Sequence, residues 1–223
     1  MQSATSPFPP SDSSIPVIGV VGGVGSGKSS IVKALAELAP VAIIDADKLG
    51  HQALEVPEVK RKLRQRFGPE IFDADGNVIR AQLAKLVFGD EIETQKARSD
   101  LEAISHPEID RLTAEQITRH RTAKLARWII LDAALLLEAG WNKHCDVVVF
   151  VEVAPDRRRQ RAKAQRGWSD EEWRRREASQ WPVDRKRSAA EIVISNDGTL
   201  DEAAKSLRDA LDRRFGPQRD GCQ

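Results

Sequence analysis

A chain of 223 residues with 35 Lys/Arg against 34 Asp/Glu has a formal charge of +1. That length suits one sizeable α/β core rather than two independent domains, and the near balance of charge excludes a chain-wide electrostatic grip on nucleic acid or on a membrane surface. Cys145 and Cys222 lie far apart, the second in a polar tail, so they form neither a metal-ligand spacing nor a disulfide framework. Free thiols suit a reducing, cytoplasmic location.

Residues 1–16, MQSATSPFPPSDSSIP, are rich in Ser and Pro and hold no Lys, Arg or apolar stretch, which predicts a disordered leader rather than a secretory signal. Short apolar runs follow at 17–21, 41–44, 128–131, 147–153 and 192–194. Their length and β-branching predict strands buried on both faces. With helical patterns between them, they predict a doubly wound α/β fold around a parallel, five-stranded sheet. The most apolar stretch, WIILDAALLLEAGW, is interrupted by Asp132 and Glu138, so no membrane span is expected. Ser169 with Glu172, and Thr199 with Glu202, have the spacing of capping boxes at helix starts. The last residues, 216–223, read as a flexible tail.

Between the first apolar run and the first helical pattern lies GGVGSGKS, Gly22 to Ser29, which fits G-x-x-x-x-G-K-[ST] in the strand-to-helix context that motif requires. Glycines let successive backbone N–H groups turn into a concave nest around phosphate oxygens, and the helix start adds partial positive charge. The motif predicts a nucleoside triphosphate held by Gly23, Val24, Gly25, Ser26, Gly27, Lys28, Ser29 and Ser30. Lys28 would act on the transferred phosphate, and the Ser29 hydroxyl would serve as a magnesium ligand. A GTPase would carry a base-reading N-K-x-D; the nearest match, NKHC at 142–145, precedes an apolar run instead of following one. A small-molecule kinase needs a second pocket and a mobile basic lid. The long helical stretch 51–127 is a candidate for the first, and 157–187, with twelve Lys/Arg against five Asp/Glu, for the second.

Three carboxylates close apolar runs. Asp45 and Asp47, in IIDAD, follow the second run, where open α/β sheets bind ligands. Each either caps the next helix or orients an acceptor hydroxyl and takes its proton. Asp132, closing WIILD, either holds magnesium or caps the turn after it, and Glu138 solvates the end of an apolar turn.

In order along Val17 to Arg214, VGGVGSGKSS, IIDAD, FG at 67–68, DADGNVIRAQLAKLVF, HP at 106–107, LDAALLLEAGW, CDVVVFVEV, ASQWP and IVISNDG together resemble dephospho-coenzyme A kinase. The resemblance implies a sheet of P-loop kinase type with a helical substrate-binding insertion at 51–127 and a helical lid at 157–187. The core would comprise 17–50, 128–156 and 188–215 of a single domain, 17–215. It implies magnesium-dependent transfer of the γ-phosphate of ATP to the ribose 3′-hydroxyl of dephospho-coenzyme A, with no nucleic-acid or membrane partner, by a monomer or weak homo-oligomer. Asp47 matches the family's catalytic base, beside Lys28. Arg80, Phe88, His106, Asp132, Leu136 and Arg176 fall where the second substrate is bound, and Arg161 and Asn196 where ATP is. For Arg80 the other reading is a solvated helix surface, for Phe88 a core residue, and for His106 before Pro107 a helix end. Ala133 and Ala134 stand where the family has a branched residue and proline, and Gln165 where it often has arginine. A related kinase acting on a nucleoside monophosphate or another small hydroxyl compound, and a nucleic-acid-binding regulator, are the alternatives.

Overall fold

The computed structural model describes residues 14–87, 89 and 91–216. The leader and tail expected at the termini lie largely outside the described residues, as does Phe88.

Each apolar run forms a strand: β1 (Val17–Gly22), β2 (Val41–Asp45), β3 (Trp128–Asp132), β4 (Val147–Glu152) and β5 (Ile192–Ser195). The five lie in the order β2-β3-β1-β4-β5, with parallel registers such as Val17 opposite Ile129, Val20 opposite Asp132 and Val21 opposite Phe150. β1, at the centre, is buried on both faces, as expected. The outer strands are not. β2 and β5, the two edge strands, expose Ile43 and Val193, each at 39%.

The chain divides into two compact units, one built from residues up to Ile44 and from Ile117 onward, the other from Asp45–Gln116. In the first, α1 (Lys28–Ala36) and α9 (Leu200–Phe215) cover one face of the sheet, placing Ile31, Leu35, Leu207 and Leu211 against Ile18 and Val149. All six are at most 1% exposed, and full burial of such side chains stabilises by about 2 kcal/mol each. β1 lies between β3 and β4; the chain leaves it through α1 toward β2, on the β3 side, while β4 and β5 extend the sheet on the other side, so the carboxyl end of β1 is where an open sheet leaves a crevice. The basic stretch forms α6 (Pro155–Arg166), α7 (Asp170–Ala178) and α8 (Val183–Ser188). Both capping boxes are made: Ser169 Oγ accepts from the Glu172 N–H at 3.1 Å, and Thr199 Oγ1 from the Glu202 N–H at 3.2 Å.

The second unit is helical. It holds α2 (Ala46–Ala53), α3 (Pro57–Phe67), α4 (Arg80–Val87) and most of α5 (Ile92–Ala123), with Leu63, Ile71, Leu83 and Val87 at its core. Its DADGN segment is a turn: the Asp73 carboxylate accepts from the N–H groups of Asn77 (2.8 Å) and Asp75 (3.0 Å), which holds that carboxyl below its ordinary range. The His106–Pro107 step does not end a helix. α5 runs through Pro107, losing only the hydrogen bond that a proline nitrogen cannot donate.

Candidate active site

β1 delivers the chain into the glycine loop and α1 takes it away. Gly25 and Gly27 sit in the left-handed region, at φ 83° and 82°, which strains any residue with a Cβ. Space makes the same demand. A Cβ on Gly23 or Gly25 would run into Arg158, and one on Gly27 would lie 2.7 Å from Asn196 Nδ2. The loop closes on itself through Ser26 N–H to the Gly23 carbonyl at 3.1 Å, and α1 opens with Ile31 N–H to the Gly27 carbonyl at 3.0 Å. No side chain caps α1 and its first turn holds no acid, so its leading N–H groups are left to an incoming anion.

Lys28, half-buried, folds back over the loop and donates to the Gly22 carbonyl at 3.3 Å. Burial lowers its pKa to about 8; the Asp132 carboxylate pulls the other way, while Lys186 and Arg166 reinforce the fall. A triphosphate beside that amine favours the ammonium form, so the sign is fixed: ATP uptake at pH 8 to 9 should draw a proton from solution. Calorimetry in two buffers of different ionisation enthalpy should show this as a heat difference, with ATP affinity falling as pH rises past about 8.

The underside of the loop is fastened by the residues matched to ATP. Asn196, 3% exposed, donates through Nδ2 to the Ser26 carbonyl at 2.8 Å. Arg161 donates to the Asn196 carbonyl at 2.8 Å and to Ser26 O at 3.4 Å. Beside them, Arg157, Gln160, Arg161, Ala164 and Gln165 line an open cavity along α6. Ser29 and Ser30 are exposed on the first turn of α1. Asp132 ends β3, and Leu136 is fully buried, packed beside Gly19. Arg176 stacks on Trp168, 4.1 Å from the ring centre, with Arg166 at 4.9 Å from the same ring.

The second unit carries the other candidates on separate helices. Asp45 is a helix cap: its carboxylate accepts from the Lys48 N–H at 3.1 Å. Asp47 is exposed at the second position of α2. Arg80 Nη1 lies 2.8 Å from His51 Nε2. His106, half-buried in α5, has its pKa lowered by burial, against the opposing charge of Glu102 one turn earlier.

Several participants were not legible in the sequence. Glu138 does not merely solvate a turn: its Oε1 lies 3.0 Å from Lys186 Nζ and accepts from the Trp181 N–H at 2.7 Å. Lys186, 2% exposed, also donates to Gln180 Oε1 at 2.7 Å. Arg158, Trp173 and Glu177 close around the loop tip. A lysine and an arginine buried in a basic stretch look, by residue type, like its solvated neighbours; only the partners distinguish them.

The chain is similar to known proteins over most of its length. A dephospho-CoA kinase family model matches residues 16–202. Among curated relatives, the dephospho-CoA kinase of Rhodopirellula baltica is 38% identical over 198 residues, covering 89% of this chain and 90% of that protein. The enzyme of the same name from Corynebacterium glutamicum is 36% identical over 203 residues, covering 88% and 98%. The crystal structure of TT1252 from Thermus thermophilus superposes with a TM-score of 0.73 at 32% identity, covering 90% of this chain and 98% of that one. With a phosphate-binding loop in its required setting and a family match spanning both units, the chain belongs to the dephospho-CoA kinase family.

Proposed function

We propose that this enzyme transfers the γ-phosphoryl group of ATP to the ribose 3′-hydroxyl of dephospho-coenzyme A, giving coenzyme A and ADP in the cytoplasm. The observation that carries the ATP half is the uncapped start of α1 beneath a glycine loop, with the Lys28 amine folded across it. The family match over 16–202 carries the acceptor half.

Phosphoryl transfer asks the protein mainly to position two oxygens and to neutralise charge. Loop N–H groups and the first turn of α1 would grip the phosphates, and Lys28 would bring positive charge to the group in transit. Arg161 and Asn196, which already brace Ser26, would border the nucleotide, and the arginines of α6 to α8 would exclude water that otherwise hydrolyses ATP. The Asp47 carboxylate would accept the hydrogen bond of the ribose hydroxyl and then its proton. Arg80, His106 and Phe88 would contact the coenzyme.

The donor set at the loop fits magnesium. Ser29 and Asp132 supply oxygen, the ligand type a hard cation prefers, and among the described residues there is no cluster of three or more His, Cys, Asp or Glu. One or two protein oxygens suffice when substrate phosphates and water complete the octahedron, so Ser29 and Asp132 would hold the ion, which shields phosphate charge during transfer.

The test is ADP release by the purified chain with ATP and magnesium. Release that depends on dephospho-coenzyme A, and not on nucleoside monophosphates, is expected. Equal or faster release with a nucleoside monophosphate would move the enzyme to the related-kinase reading.

A further inference from the structure

In α7 every residue is exposed except two, Trp173 and Glu177. Four positions apart, they share one face of the helix, and both end on the backbone of one residue of the glycine loop, Val24. Trp173 Nε1 donates to the Val24 carbonyl at 3.1 Å, and Glu177 Oε2 accepts from the Val24 N–H at 3.1 Å. The other oxygen of Glu177 pairs with Arg158. Arg158 is 4% exposed and lies where Cβ atoms on Gly23 and Gly25 would be, with its guanidinium 5.4 Å from the Trp173 ring centre.

Val24 is flanked by two glycines, the residues that give a loop the most freedom when nothing holds it. A nest binds an anion tightly only if its N–H groups already converge, because any ordering done on binding is subtracted from affinity. The Val24 N–H belongs to the peptide shared with Gly23 and the Val24 carbonyl to the peptide shared with Gly25, so the two contacts set the orientation of two successive peptide planes, and the neighbouring amides follow. We infer that Trp173 and Glu177 are positioning residues, which hold the glycine loop in its phosphate-binding shape through the backbone N–H and carbonyl of Val24 and so tie ATP affinity to the docking of α7. Arg158 neutralises the carboxylate that would otherwise repel phosphate. This rests on the reading of the loop as the ATP site.

The test compares Glu177→Ala, Glu177→Gln and Trp173→Phe with the unchanged chain, by ATP calorimetry, by steady-state kinetics and by melting temperature. Glu177→Ala should weaken ATP binding and raise the ATP KM by about tenfold, the scale of losing a charged hydrogen bond, while the KM for dephospho-coenzyme A stays put. Glu177→Gln keeps an oxygen for the Val24 N–H and should recover part of the loss. Trp173→Phe keeps the ring without the donor, and should weaken ATP severalfold. Because both side chains hold the backbone of one residue, the double substitution should cost less than the sum.

Lowered melting temperatures with unchanged ATP affinity would reduce the contacts to fold support and overturn the inference. Tighter ATP binding by Glu177→Ala would overturn it too, marking the carboxylate as a competitor of phosphate. If Glu177→Ala does not fold, Glu177→Gln and Trp173→Phe decide alone. An unchanged chain that takes up no ATP would remove the kinase reading itself, a failure distinct from variants that bind as well as their parent.

Discussion

Lys28→Ala is expected to lower kcat/KM by about a thousandfold or more while leaving the melting temperature unchanged or higher. The two halves of that result have one cause. Lys28 is held where its ammonium form is disfavoured by burial; the Asp132 and Glu177 carboxylates pull the other way, against repulsion from Lys186 and Arg166, without undoing it. Its pKa of about 8 lies below the ordinary lysine value of 10.5, so the folded chain binds that proton more weakly than the unfolded one. Below pH 8 the fold bears the cost of the charge; between 8 and 10.5 stability should rise with pH as the folded state releases it. A charge that costs stability in the empty protein is available to a triphosphate, whose oxygens replace the missing solvation. Alanine removes the cost and the function together. Lys28→Ala with near-parental kcat/KM would show that the amine does not act on the phosphate.

The sheet was legible because its strands are short β-branched runs, and nothing else in the chain competes with that pattern. What the runs did not show was position. Ile43 and Val193 read like any other apolar strand residue, yet they lie on edge strands and are partly exposed, a consequence of strand order rather than composition. The capping boxes and the glycine loop were legible for a related reason: their partners lie within a few residues, so spacing alone states the interaction. The contacts behind the loop were not. Glu177 and Val24 are 153 positions apart, and Asn196 and Ser26 are 170 apart. Residue type gives no hint that a glutamate in a basic segment accepts from a glycine-loop amide. His106–Pro107 failed differently. Proline disfavours helix locally, but one missing hydrogen bond in a helix of 32 residues is outweighed by packing along its length.

Asp47→Asn should lower kcat by about a hundredfold or more, with ATP affinity and melting temperature close to the parent's. The argument begins from its neighbour. IIDAD offers two carboxylates, and the helix uses one of them. Asp45 caps α2 through the Lys48 N–H, and its side chain also lies 3.7 Å from Lys48 Nζ. Removing that cap as Asp45→Ala should cost about 1 kcal/mol of stability. Asp47, two residues on, is an exposed acid in the first turn, where the helix dipole contributes at most about 1 kcal/mol, which asparagine largely forgoes without disturbing shape. The pair therefore separates two kinds of loss. Asp45→Ala should melt lower with kcat largely kept, and Asp47→Asn should melt normally with kcat lost. Asparagine can still orient a hydroxyl, but it cannot take the proton, so the deficit should fall on kcat rather than on either KM. An Asp47→Asn enzyme turning over at the parental rate would leave the proton's acceptor to be sought elsewhere and strip Asp47 of the base role.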